Sequence, residues 1–133
     1  KKTRVILNQV QMIELIEKKY SKIKIEIPPI FKTRTILEQM IFFHETILAM
    51  GAHAASVANV FWMMPKTVLI EFSHSMCYSA GYRIARIAGV KFMALMFKNS
   101  QKEKNYVVEF DLLMKAFDAA IDYLCKTFDV NYY

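Results

Sequence analysis

The run Ile47-Leu48-Ala49-Met50 contains no polar side chain, and two further runs, residues 67–72 and 90–97, are nearly as apolar. A strand with one wet face alternates apolar and polar residues. An unbroken apolar strand must bury both faces, as the interior strands of a helix-covered parallel sheet do. Residues 33–45, with Ile36, Met40 and Phe43 on one stripe, precede the first run with helical spacing. A further helix is expected after the turn at Gly51–His53, through about Met63 and ended by Pro65, and another over residues 75–88, closed by Gly89. The strictest periodicity is near the end: Leu113, Phe117, Ala120, Ile121, Leu124 and Phe128 face one way, and Asp111, Lys115, Asp118 and Asp122 the other.

The first quarter adds an apolar run, residues 4–7, ending at Asn8, a good N-cap residue. Val10, Ile13, Ile16 and Tyr20 follow at helical spacing. Residues 21–27 alternate with period two, as in a strand with one solvated face, and Pro28-Pro29 stops them. Residues 99–105 read as a polar loop and residues 106–109 as a short edge strand. The predicted fold is therefore α/β, a Rossmann-like parallel sheet with helices on both faces, in one domain spanning residues 1–133. With 55% apolar and 23% charged residues, the chain has the composition of a folded domain.

The net charge of +6 comes wholly from residues 1–34, which hold nine Lys/Arg against three acids. A basic edge of this kind attracts phosphates or is a solvated surface. Aromatic and basic residues do not interleave there as RNA-binding patterns do, so nucleic acid is not the favoured partner. Cys77 and Cys125 lack metal-ligand spacing and are expected as small buried hydrophobes, and no metal site is expected. No apolar run is long enough to span a membrane, and no signal peptide is legible. Lys1 in place of a start methionine suggests a fragment of a longer protein.

In an open α/β sheet, ligands bind beyond the carboxyl ends of the strands, where a following helix offers free amides. Gly51-Ala52-His53 stands at such a place: the glycine would let the chain bend and the histidine would face a ligand. By spacing alone this histidine could equally be a structural one. The aromatic residues Phe42, Phe43, Phe61 and Trp62 read as core, Met63-Met64 as packing, and His44 and His74 have no assigned role.

The order of residues 50–65, Met-Gly-Ala-His-Ala-Ala-Ser-Val-Ala-Asn-Val-Phe-Trp-Met-Met-Pro, resembles the Gly-x-His-Gly-Ala-Gly-Leu-x-Asn-x-x-Phe-x-x-Pro signature of glycosyltransferase family 61. Arg4-Val-Ile-Leu-Asn8, Leu37-Glu-Gln39, Val68-Leu-Ile-Glu71 and Tyr82-Arg-Ile-Ala-Arg-Ile-Ala-Gly89 are similar to neighbouring stretches of the same family, in the same order. The resemblance covers roughly residues 4–97. It implies the C-terminal, donor-binding half of a two-domain inverting enzyme, with a nucleotide-diphosphate sugar as donor substrate and no permanently bound cofactor.

Carried over by position, Gly51 would make the turn and His53 would face the donor. Asn59 would support the turn from within the helix, Glu71 would accept hydrogen bonds from ribose hydroxyls, and Arg4 would lie near the diphosphate. No catalytic base is identified, and one is expected in an N-terminal half, so the fragment alone is expected to be inactive. The acceptor would be a glycan or protein, and the compartment the lumen of the endoplasmic reticulum or Golgi. Ala54 and Ser56 replace two family glycines. A second reading follows from that loss: a degenerate domain acting as an interaction subunit through its terminal helix. A third reading is nucleic-acid binding through the basic first quarter.

Overall fold

A computed structural model describes residues 5–27, 35–73, 80–97 and 105–133. Arg4, Pro28-Pro29, His74, Cys77, the start of the predicted helix over 75–88 and most of the loop over 99–105 lie outside them. Eight elements follow in order: α1 (Gln9–Lys19), α2 (Ile36–His44), β1 (Leu48–Ala52), a 3-10 helix (Ala55–Trp62), β2 (Val68–Ser73), α3 (Ala80–Ala88), β3 (Lys91–Met96) and α4 (Phe110–Phe128). The strands form a parallel sheet in the order β1-β2-β3. It is the expected α/β architecture, Rossmann-like, with helices on both faces.

Alternation along β2 divides the molecule into two cores. Val68, Ile70 and Phe72 face α1 and α4 and pack with Ile16, Tyr20, Leu113, Phe117 and Leu124. Leu69 faces the other way, joining Phe43, Val60, Met63, Ala85 and Val90. Both faces of β2 are thus removed from water, which is why residues 68–72 are continuously apolar apart from one carboxylate, Glu71.

Several local expectations change. The chain after β1 forms a 3-10 helix, not an α-helix: the Val57 amide donates to the Ala54 carbonyl, and that of Met63 to Val60. Val57, Val60 and Met63 recur every three residues and pack into the second core, which suits a helix of three residues per turn. Phe61, expected in the core, is 52% exposed.

Helix α2 is capped by Thr35. The Thr35 hydroxyl accepts from the Glu38 amide and the Glu38 carboxylate accepts from the Thr35 amide, a capping box legible as Thr-x-x-Glu. Of the expected α2 stripe only Phe43 is buried, while Ile36 is 74% exposed.

Residues 21–27 form no strand. Ile23 and Ile25 turn toward the first core and Lys22, Lys24 and Glu26 away, so the alternation in burial is real although no strand forms. Asn8 does not cap α1 with its side chain. Its amide donates to the Val108 carbonyl at 2.8 Å and accepts from the Val108 amide at 2.9 Å. Residues 106–109 likewise make no strand, only the parallel bridge between Ile6 and Tyr106 that the Asn8 contact extends.

The terminal helix follows its periodicity except at its last turn, where Phe128 is largely exposed. Asp118 is not simply solvated. It accepts from the Tyr20 hydroxyl at 2.5 Å and from Lys19 at 2.7 Å, joining α4 to α1. Cys125 is a free, half-buried thiol packed against the first core.

Candidate functional site

The parallel register sets Gly51, Glu71 and Ala94 side by side across the three strands. Residues in register share a face of the sheet, here the face covered by the 3-10 helix and α3. Glu71 therefore has the two smallest possible lateral neighbours, which leaves width for a carboxylate. Val57 and Gly81 close over it. A Cβ on Gly81 would lie 2.8 Å from both Glu71 Oε2 and Val57 Cγ1, so only a glycine lets α3 approach this closely.

The carboxylate is enclosed, with a side-chain exposure of 1%. Its Oε1 lies 2.5 Å from His53 Nδ1, a separation that requires one shared proton between them. Oε2 is buried with no hydrogen-bond partner among the described residues. An ionised carboxylate out of water costs several kcal/mol unless paired. The His53 ring is the partner that offsets this cost, and with 37% of its side chain exposed it connects the buried acid to the surface.

His53 leaves the sheet at the carboxyl end of β1. Its amide still donates to the Phe72 carbonyl, at 2.9 Å, which extends the β1–β2 pairing one residue past Ala52. Gly51 and Ala52 therefore belong to the strand, and Gly51 is not the bend that its position suggested. It has no left-handed backbone conformation, and a Cβ placed on it would meet nothing within 4 Å. Its lack of a side chain leaves open space on the face that carries Glu71. The bend falls at residues 53–54, where Ala54 is extended with φ −156°.

The remaining expected site residues divide. Glu71 lies two residues short of the end of β2 and is sealed from above, so its carboxylate does not open to a ribose as expected. Asn59 is half-buried in the 3-10 helix and makes no side-chain hydrogen bond among the described residues. Arg4 lies outside those residues. The structure thus brings together Gly51, His53 and Glu71 and adds Val57 and Gly81. Gly81 was legible only as a glycine inside a helical pattern, a mark of close approach.

Two surface grooves of about 330 and 220 Å³ run along α2, and neither includes His53 or Glu71. Among the described residues, no three His, Cys, Asp or Glu side chains come together as a metal site would require. No helix among them is long and apolar enough to cross a membrane.

Comparison with known proteins gives one family. The model of the family described as Glycosyltransferase 61 matches residues 1–70, just over half of the chain. The matched stretch includes β1, His53 and the 3-10 helix and stops one residue before Glu71. Neither the curated proteins nor the solved structures give a match.

Proposed function

Because the chain belongs to glycosyltransferase family 61, we propose that it binds the nucleotide-diphosphate portion of a sugar donor beside His53, beyond the carboxyl ends of β1 and β2. Membership of that family makes the general activity transfer of a sugar from a donor to an acceptor. The donor-binding role is the further step, and the observation that carries it is the His53–Glu71 pair. A carboxylate is buried at considerable cost near the carboxyl end of β2, and its partner among the described residues is a surface-reaching imidazole at the edge where such folds hold their ligands.

The open space over Gly51 lies on the same face, so a ligand can approach the backbone there without displacing a side chain. In this reading the donor sugar is transferred with inversion. The leaving diphosphate is met by the His53 ring.

The test is calorimetric titration of the folded protein with uridine, guanosine and cytidine diphosphates. Saturable binding of at least one is expected. His53→Asn keeps an amide nitrogen where Nδ1 stands but removes Nε2, and should weaken that binding about tenfold, the equivalent of one hydrogen bond to a charged group. Gly51→Leu should fill the open space and abolish binding while the melting temperature holds. If a folded protein binds none of the three nucleotides, the donor-site reading is wrong.

A further inference from the structure

We propose that the chain forms a two-fold dimer through the outer face of the layer made by α2, the 3-10 helix and α3, each α2 seated on the α3 of a second copy. The proposal does not depend on the donor site, and its test needs no nucleotide.

The 3-10 helix joins β1 to β2 and packs against both α2 and α3, while α3 joins β2 to β3. The layer therefore runs α2, 3-10 helix, α3 across the sheet. The period of three that turns Val57, Val60 and Met63 inward puts Ala55, Ala58 and Phe61 in a second row. That row faces solvent and is wholly apolar, and Met64, just beyond it, is exposed as well. Helix α2 is apolar nearly all round, yet it buries only Phe43 and leaves Leu37 and Ile41 on the surface. A helix of that composition is ordinarily covered. On α3 the exposed side chains are Tyr82, Arg83, Arg86 and Ile87, the last 76% exposed. The outer face of α4, by contrast, mixes Asp111, Lys115 and Asp122, as a solvated surface does.

Charge names the occupant. Residues 35–65 hold two acids, Glu38 and Glu45, and no Lys or Arg, whereas residues 80–90 hold Arg83 and Arg86 and no acid. Neither arginine makes an ion pair among the described residues. One edge of the layer is thus acidic, the other basic, and the apolar row lies between them. Such a face complements itself when a second copy is turned about an axis along the middle of the layer, because acidic edge then meets basic edge twice.

Helices α2 and α3 each lead through a short turn into one of the parallel strands, so they run in the same direction. In the dimer Glu38 of one copy comes level with Arg83 of the other, and Glu45 with Arg86. Phe61 meets its own counterpart near the axis. Rotation about this axis preserves strand direction, so both copies present His53 at the same end of the dimer.

Sedimentation velocity from about 1 to about 100 µM should show the 15.6 kDa chain passing to twice that mass. Arg86→Glu and Glu45→Arg each set like charges against one another at both contacts. Each alone should raise the dissociation constant at least about tenfold. An equimolar mixture of the two variants restores opposite charges at both contacts and should associate as the wild type does. Phe61→Glu, at an exposed position, should also yield monomers, with a melting temperature close to that of the wild-type monomer.

A folded chain that stays monomeric up to about 100 µM overturns the proposal, and this face then serves a different partner. A dimer that persists in both Arg86→Glu and Phe61→Glu overturns it too, since association then uses another surface. Failure of the mixed variants to associate where the wild type does refutes the pairing of α2 with α3.

Discussion

Gly51 and Gly81 lie on opposite sides of the same carboxylate, and alanine should act in opposite directions at the two. At Gly51 the backbone is ordinary strand and a Cβ meets nothing within 4 Å. Alanine there narrows the unfolded ensemble without disturbing the native one, a gain of about 0.5 kcal/mol. At Gly81 the same substitution also relieves a helix of its glycine, worth about 1 kcal/mol. Its Cβ, however, would stand 2.8 Å from Glu71 Oε2 and from Val57 Cγ1, and 3.1 Å from Glu71 Cδ. Overpacking of this kind costs about 1–3 kcal/mol. The carboxylate can retreat only by lengthening its contact with His53. The net expectation for Gly81→Ala is a loss of about 1 kcal/mol, or about 4 °C in melting temperature for a domain of this size. Thermal unfolding of the two variants beside the wild type, with the His53 ring resonances followed in parallel, decides the matter. A Gly81→Ala protein as stable as the wild type with unmoved His53 signals would refute the tight cage around Glu71. A Gly51→Ala protein destabilised by more than about 1 kcal/mol would refute the open space described over Gly51.

Two other substitutions test the frame around the site. Burial works against ionisation of Asp118, but hydrogen bonds from Lys19 and Tyr20 and the Lys19 charge outweigh it and hold the carboxyl below its ordinary range. A group depressed by folding contributes stability above its unfolded pKa and loses it as pH falls through the folded one. Asp118→Asn should therefore cost about 1 kcal/mol near neutrality, mostly from the tyrosine bond since Asp118 and Lys19 are both substantially exposed. Urea midpoints of variant and wild type should converge once the pH is well below about 4, and a gap that persists there would contradict the assignment. Gly89 has φ +71° and a prospective Cβ contact of 3.3 Å with Pro65. Gly89→Ala should lower stability by about 1–2 kcal/mol, and an unchanged melting temperature would argue against the left-handed turn after α3.

The parallel sheet and the long terminal helix were legible in the sequence because both signals are strong and local. Apolar runs that bury two faces have few alternatives, and Leu113 to Leu124 repeat for several turns. The 3-10 helix is not separable from an α-helix in the sequence because over eight residues a period of 3.0 and one of 3.6 differ by little. Val57, Val60 and Met63 separate them only once burial is known. Residues 21–27 alternate as a strand does, yet a strand also needs a partner, and pairing is not written in one segment. At the site, Gly51, His53 and Glu71 were found but given parts that the geometry redistributes. Which residues share a face depends on register, and register depends on two other strands. Gly81 shows the same limit: its need to be glycine is set by a carboxylate ten residues earlier, in another element.

The pairings of Asn8 with Val108 and of Tyr20 and Lys19 with Asp118 join residues 98 to 100 positions apart. The other side of the sheet is built from neighbours: α2, the 3-10 helix, α3 and the strands all lie between residues 36 and 96. The two layers therefore differ in the order in which a ribosome can complete them. The layer that holds His53 and Glu71 is finished in sequence once β3 has emerged. The layer over the opposite face waits for residues 106–124 to be translated, and until then the apolar side chains of Val68, Ile70 and Phe72 are without their main cover. During synthesis the nascent chain is thus most exposed to aggregation on the face away from its site, and a chaperone that shields it would be expected to engage there first.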